Sequence, residues 1–191
     1  MLLALSHPAE SFAQARPSEL ECEHLIRPLG IHAANPRLSW QLADARQGAK
    51  QTAYRIYVGK DSAATAAKKG QVWDSGKIPS SASLVTYKGK QLEPFTKYYW
   101  LVEIWDKDGK PANPTVSSFE TGMMKMENWK GTWISDRNDI NLLPAPYFRK
   151  VFDANKKVKS ARAYIAVGGL YELYLNGQKI GNHRLDPMYT R

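Results

Sequence analysis

The stretch that decides the fold is Leu92-Glu93-Pro94-Phe95-Thr96-Lys97-Tyr98, which leads directly into an alternating strand pattern. Its Leu-x-Pro-x-Thr-x-Tyr spacing is typical of the corner at which a chain crosses between the two sheets of an antiparallel sandwich. At such a corner the tyrosine hydroxyl bonds to backbone a few residues upstream, while the ring packs in the core. We therefore predict that Tyr98 is a structural corner residue.

Alternating segments lie on both sides of this corner. Apolar side chains line one face of residues 98–106, and the turn pair Asp108-Gly109 ends that strand. The one helical candidate is an Ala-rich segment, residues 62–69. Strands of the same alternating kind are predicted at residues 37–42 and 53–58, and a last strand at residues 117–121.

Short strands with almost no helix predict an all-β chain whose first part is an antiparallel sandwich. With Trp40 on the second strand and Tyr54 opening the third, residues 16–122 resemble a fibronectin type III-like or immunoglobulin-like module. This resemblance concerns the fold and carries no function by itself.

Composition places the chain among folded globular proteins. Its 191 residues are 43% hydrophobic and 24% charged, which excludes wholesale disorder. The formal net charge of +9 raises the question of nucleic-acid binding. Lys and Arg are spread through the chain, however, without zinc-finger spacing, an RNP-like segment or a basic helix. A solvated basic surface is therefore the better interpretation, and we expect no nucleic-acid partner.

No motif for catalysis, metal binding or a cofactor stands out. Cys22 is the only cysteine, so an intrachain disulfide and a thiolate cluster are both impossible. Acidic and apolar residues alternate around it, which points Cys22 inward as a small hydrophobe. The acids Glu19, Glu21 and Glu23 are expected on one exposed strand face, and Asp74, Asp106 and Asp108 at turns. The four histidines lack metal-ligand spacing: His7, His24, His32 and His183.

Residues 1–15 are interpreted as a partial secretory signal. Met1-Leu2-Leu3-Ala4-Leu5 is apolar, and Ala13-Gln14-Ala15 fits a signal-peptidase site. We therefore expect a secreted or periplasmic protein whose mature chain starts near Arg16. No later stretch is apolar enough to span a membrane.

The second part of the chain reads as a connector and a further β region. Residues 123–146 are the connector, and Asn176-Gly177 is a strong hairpin signal. The chain then ends at Arg191 before a full set of strands, so we expect residues 147–191 to be incomplete as a fold. Strands are predicted at residues 147–152, 160–167 and 171–175.

Three blocks of sequence, in a fixed order and spacing, carry a family resemblance. The blocks are residues 20–40 with Pro36-Arg37-Leu38-Ser39-Trp40, residues 51–106 with Val72-Trp73-Asp74-Ser75-Gly76, and residues 129–177 with Tyr171-Glu172-Leu173-Tyr174-Leu175-Asn176-Gly177. Together they resemble the amino-terminal region of bacterial α-L-rhamnosidases of the glycoside hydrolase family 78 type. The resemblance covers nearly everything from Arg16 onward.

The resemblance implies an exported, multidomain enzyme that removes terminal α-L-rhamnose from plant glycans or glycosides. It implies a fibronectin-like domain, a jelly-roll-like β domain, an (α/α)6 barrel with the catalytic acids, and a further β domain. Residues 147–191 would then be the beginning of the jelly-roll-like domain. Because the sequence holds no barrel, no catalytic residue is carried over, and we expect this chain to be inactive alone. Its partners would be the remaining domains of the parent enzyme.

Direct sugar binding is a second hypothesis. Trp73, Trp105 and Tyr171 would stack on pyranose rings of rhamnose-containing glycans if their faces were exposed. We favour packing of these side chains between domains. A free-standing carbohydrate-binding or cell-surface adhesion module, and a pure spacer, remain as alternatives.

Limited proteolysis tests the predicted division. We expect early cleavage within residues 123–146 and a persistent fragment over residues 16–122, because strands with open edges bury too little apolar surface to be stable alone. Mass spectrometry of the fragments over time is the measurement. A compact, fully protected carboxy-terminal half would contradict the prediction.

Overall fold

The chain forms two compact units. The computed structural model describes residues 15–136, 141, 145–158, 160–182 and 185–186. The first unit ends at Trp133, and the second begins at Ile134. Of the predicted leader, only Ala15 falls within the described residues, and His7 and His183 fall outside them.

The described residues of the first unit form seven strands, one short α-helix and a 3-10 turn at Met126–Asn128. The strands are β1 (Arg16–Cys22), β2 (Arg37–Ala43), β3 (Ala53–Gly59), β4 (Trp73–Asp74), β5 (Leu84–Thr86), β6 (Lys97–Trp105) and β7 (Thr115–Glu120). One sheet has the order β1-β2-β5 and the other the order β4-β3-β6-β7, with every pair antiparallel. The predicted all-β sandwich is therefore confirmed, and β2, β3, β6 and β7 match the predicted strands within two residues.

Alternation on β6 creates the core between the two sheets. Its inward side chains Tyr98, Trp100, Val102 and Ile104 are completely buried. They share the interior with Phe119 of β7, whose ring stacks on Tyr98 at a centroid distance of 5.4 Å. Because successive strand residues point to opposite faces, the paired strands contribute matching apolar faces to this core.

Trp40 links the two sheets from the β2 side. Its ring meets Tyr54 of β3 edge to face at a centroid distance of 5.4 Å. The indole Nε1 donates to Oε1 of the buried Gln51 at 2.8 Å. The amide of Gln51 donates in turn to the carbonyls of Ser80 and Ala82, at 3.1 and 2.9 Å. Each buried polar group of this network has a partner, as a buried network requires.

The corner before β6 is held by two hydroxyl groups. The Tyr98 hydroxyl accepts a 2.8 Å hydrogen bond from the Glu93 amide. The buried Thr121 hydroxyl donates to the Glu93 carbonyl at 2.6 Å and accepts from the Thr96 amide at 2.9 Å. The corner is thereby fastened both to the core and to the end of β7.

Helix α1 (Ser62–Ala66) is shorter than the predicted segment, residues 62–69. Asp61 caps it by accepting from the Ala64 amide at 2.7 Å. The helix stops because Lys68 adopts a left-handed backbone with φ of 61°. Within the described residues, no helix has the length and apolar character that crossing a bilayer would need.

Strand β1 contains a bulge beside its glutamates. Glu19 has φ of 46°, and the register with β2 shifts between Ser18 and Glu21. The extra residue interrupts the alternation between Ser18 and Glu19. From Glu19 to Glu23 the glutamates are exposed or half-buried while Leu20 and Cys22 are buried, as expected, although Glu23 lies beyond the last residue of β1. Cys22 is buried as expected, and its burial, followed by the nearby Glu23 charge, raises the pKa of the thiol to about 12.

The second unit contains one hairpin among its described residues, formed by β8 (Tyr174–Leu175) and β9 (Gln178–Lys179). The turn signal at Asn176-Gly177 is confirmed, since both residues have the positive φ that a tight hairpin turn requires. The strands predicted at residues 147–152 and 160–167 are wrong within the described residues, and only the end of 171–175 is a strand. A strand forms only as part of a backbone ladder, and neither segment is part of one within the described residues.

The boundaries drawn at residues 16–122, 123–146 and 147–191 stay a prediction, as does the jelly-roll-like character of the last segment. Apolar side chains of that segment, such as Tyr147 and Phe152, are exposed. Exposed apolar groups of this kind are typical of a surface that packs against another structural element.

The corner hydrogen bond predicts a stability loss. Tyr98→Phe removes the acceptor and leaves the Glu93 amide without its partner, so the free energy of unfolding should fall by about 1–3 kcal/mol. Tyr99→Phe is the matched control, because Tyr99 lies on the outer face of the same strand, and it should stay within about 0.5 kcal/mol. Urea unfolding of both variants is the measurement; equal effects would contradict the role of the corner.

Candidate functional site

A polar cleft of about 310 Å³ opens on the first unit beside the tyrosine corner. Three segments form it: the end of β3, the residues that lead into β4, and the loop between β5 and β6. We name it the Lys60–Lys90 cleft. Its lining residues are Lys60, Gln71, Val72, Lys90, Gln91, Glu93 and Tyr98.

Buried tyrosines fix the backbone of one wall. The Tyr87 hydroxyl donates to the Lys90 carbonyl at 2.6 Å, and the Tyr98 hydroxyl accepts from the Glu93 amide at 2.8 Å. The Lys90 amide donates to the Val72 carbonyl at 3.1 Å, which joins this wall to the opposite one. The cleft is therefore shaped by the core rather than by mobile surface side chains.

Two glycines let the walls approach Trp73. A Cβ on Gly89 would lie 2.5 Å from the Trp73 Cβ, and a Cβ on Gly70 would lie 2.2 Å from the Trp73 carbonyl oxygen. The Trp73 ring meets Tyr87 edge to face at 5.1 Å. Trp73, a candidate for sugar stacking, thus packs half-buried against the core and is not among the lining residues of the cleft.

The charges in the cleft leave one ammonium group available. Lys60 and Glu93 form an ion pair at 2.5 Å between two exposed side chains. The Lys90 ammonium has one contact in the described part of the chain, a long 3.4 Å bond to the Gln71 carbonyl. The cleft therefore combines a cation that has no acidic partner among the described residues with the amides of Gln71 and Gln91.

Trp105 and Tyr171 lie elsewhere. Trp105 is half-buried on the outer face of the four-stranded sheet, and the Lys77 ammonium lies 4.1 Å from its ring centroid. Trp73 pairs with Val58 of β3, and Trp105 pairs with Ala53 of the same strand. These positions are roughly 17 Å apart along the strand, so the two tryptophans do not share one site. Tyr171 belongs to the second unit, where its backbone pairs with Asp186.

The carboxylates near the β6–β7 turn are engaged in structural bonds. Arg46 contacts Asp44, Asp106 and Asp108 at 2.7, 2.8 and 2.9 Å. The hydrogen bond from Arg46 lowers the pKa of Asp44 to about 2. Burial alone would raise the pKa of Asp106, but bonds from the Lys110 amide and Arg46 lower it overall.

Asp74 has the turn role expected from the sequence. Its Oδ1 accepts from the Gly76 amide at 3.0 Å, and its carboxylate pairs with Arg55 at 2.7 Å. The Arg55 bond lowers the pKa of this carboxyl. Inverting glycoside hydrolysis needs one carboxylic acid with a raised pKa opposite a basic carboxylate, and these ion-paired groups are unsuited to that chemistry. In the described part of the chain, no three His, Cys, Asp or Glu side chains converge as a metal site requires.

Two family descriptions match the chain. "Rha78A-like, N-terminal immunoglobulin domain" matches residues 17–125, and "Alpha-L-rhamnosidase N-terminal domain" matches residues 156–191. The chain belongs to the α-L-rhamnosidase family. The expected resemblance is thereby confirmed, and the first unit is the immunoglobulin-like domain of that family.

Individual relatives agree with this assignment. An α-L-rhamnosidase of Formosa agariphila is 34% identical over 184 residues, which cover 84% of this chain and 19% of that protein. The chain thus spans about a fifth of the length of this rhamnosidase. The solved α-L-rhamnosidase of Dictyoglumus thermophilum is similar with a TM-score of 0.61 and 38% identity, covering 68% of this chain and 14% of that one. That of Streptomyces avermitilis, complexed with L-rhamnose, has a TM-score of 0.60 and 41% identity, covering 63% and 12%.

The Arg46 cluster predicts acid-dependent stability in this rhamnosidase-family chain. The folded pKa of Asp44, about 2, lies below the ordinary value of 3.8, so its contribution is present above about pH 4 and is lost as pH falls toward 2. Arg46→Met should lower the urea midpoint at pH 7, and the difference from the parent should shrink between pH 4 and 2. Lys60→Met is the control, since its ion pair is exposed and should matter little. A pH-independent difference would contradict the prediction.

Proposed function

We propose that this chain is the non-catalytic amino-terminal part of a secreted α-L-rhamnosidase that hydrolyses terminal α-L-rhamnose from plant glycans or glycosides. The observation that carries the proposal is the match to rhamnosidases along both units of the chain. The bound L-rhamnose of the Streptomyces avermitilis relative supports the sugar. The catalytic acids belong, in this proposal, to a further domain of the parent enzyme.

The role of the first unit in that enzyme is scaffolding. Its carboxylates support folding through Arg46 and Arg55, and its tyrosine hydroxyls hold backbone. Trp105 and Tyr171 are half-buried within their own units. We assign both to packing against the remaining domains of the parent enzyme, where aromatic side chains provide large contact areas.

Export is the second element of the proposal: the enzyme would be secreted or periplasmic. Residues 1–15 would be the signal, with cleavage after Ala15. Amino-terminal sequencing of the exported protein should therefore begin near Arg16, and a mature chain that retains residues 1–14 would contradict cleavage there.

A free-standing carbohydrate-binding or adhesion module is the alternative function. The Lys60–Lys90 cleft favours it, because a preformed polar cleft is a feature that a pure spacer does not need. The gene distinguishes the two functions: an (α/α)6 coding region downstream of residue 191 supports the enzyme, and unrelated sequence there supports the module.

Hydrolysis of an aryl α-L-rhamnoside tests the enzymatic proposal. The 191-residue chain should release no aryl alcohol above the buffer rate, whereas the product of the complete reading frame should release it. A parallel purification from cells that carry no gene for the chain serves as the control for contaminating activity. Hydrolysis by the isolated chain above the rate of that parallel purification would contradict a non-catalytic role.

A further inference from the structure

We propose that the Lys60–Lys90 cleft binds an acidic sugar residue, with the anionic group of the ligand paired to Lys90. The ligand class is a glycan unit that carries a carboxylate or a sulfate ester. The proposal does not depend on the activity of the parent enzyme.

The charge distribution is the first support. Lys60 is already neutralised by Glu93 at 2.5 Å, whereas the Lys90 ammonium has only the long 3.4 Å contact with the Gln71 carbonyl among the described residues. An anion beside Lys90 would replace that weak contact with a charge-assisted hydrogen bond, which is about twice as strong as a neutral one. The net charge of +9 on the chain favours the approach of such a ligand.

The polar lining is the second support. Gln71 and Gln91 present amide donors and acceptors, and the Glu93 carboxylate presents acceptors toward the same space. Sugar hydroxyls need both kinds of partner in close proximity. A volume of about 310 Å³ lies at the lower end of the range for small-molecule sites, so it fits one or two sugar rings rather than a long polymer segment.

The absence of an exposed aromatic face separates this cleft from a neutral-sugar site. Tyr98 is the one aromatic residue of the lining, and its side chain is completely buried. A ligand in the described cleft therefore has no aromatic ring on which to stack, and ionic and hydrogen-bonding contacts must supply the affinity.

The site is also preformed. Tyr87 and Tyr98 hold the backbone at Lys90 and Glu93, and Gly89 has no room for a side chain beside Trp73. Because the backbone is ordered before binding, less conformational entropy is lost when the ligand enters.

Titration calorimetry of the 191-residue chain tests the proposal with trigalacturonate as the probe. Its fully methyl-esterified form is the matched ligand, since esterification removes the charge and keeps the ring shape. The acid should bind at least about fivefold more tightly than the ester, the effect of one modest charge-assisted bond. A trisaccharide bearing a sulfate ester forms the second arm, and the tighter of the two anionic probes identifies the source of the charge.

Two variants locate the binding. Lys90→Met should lower the affinity for the preferred anionic probe by at least about fivefold. Lys88→Met removes an equal exposed charge two residues away and should leave that affinity unchanged. Backbone amide shifts of the parent chain should change at Gln71, Lys90 and Gln91 on titration, which keeps the site testable if a variant fails to fold.

Three results would overturn the inference. One is equal affinity for the acid and its ester. The second is equal weakening by Lys88→Met and Lys90→Met, which would indicate general attraction to a basic surface. The third is the absence of amide shift changes in the cleft at about 10 mM of either anionic probe. None of these results bears on whether the complete enzyme cleaves rhamnosides.

Discussion

The inner face of β6 is the constraint on which the rest of the structure depends. This strand pairs with β3 on one side and β7 on the other, so its backbone groups are hydrogen-bonded. Its side chains project from the two faces of the sheet, where they become buried only by packing against other elements. Trp100, Val102 and Ile104 are buried against the sheet of β1, β2 and β5. Burial of a large apolar side chain contributes about 1.5–3 kcal/mol, so this strand contributes a large part of the folding energy.

Tyr98 connects that core to the surface. Its ring stacks on Phe119 inside the sandwich, while its hydroxyl fixes the Glu93 amide at the corner. Tyr87 has a parallel role, with its ring against Trp73 and its hydroxyl on the Lys90 carbonyl. The Lys60–Lys90 cleft is therefore a consequence of core packing, because two buried phenols determine the position of its wall.

The sequence predicted those parts of the fold in which a local pattern coincides with the final environment. Alternation over residues 53–58 and 98–106 corresponds to β3 and β6 because each strand has one face in the core. Strands β4 and β5 were not predicted, since two or three residues are too few to show a period. Residues 147–152 have a strand-like composition, but a strand also needs a partner, and the described part of the chain offers none.

The candidate site was harder to predict than the fold. Lys60, Gln71 and Lys90 are far apart in sequence. The pairing of β3 with β4 brings the first two segments together, and the bond from the Lys90 amide to the Val72 carbonyl joins the third to them. The aromatic candidates follow from residue type alone, whereas their burial depends on tertiary packing: the Trp73 ring packs against Tyr87 and is not among the lining residues of the cleft. The one local signal was a glycine directly before each of Gln71 and Lys90, which in retrospect marks close approach of backbone.

Hydrogen exchange measured residue by residue on the 191-residue chain tests the central claim most directly. If β6 is the strand on which the sandwich depends, its amides should exchange only through complete unfolding, with a free energy equal to that from urea denaturation. The amides of β1 and β5, at the edges of their sheet, should exchange through smaller openings. Faster exchange in β6 than in these edge strands would contradict the account.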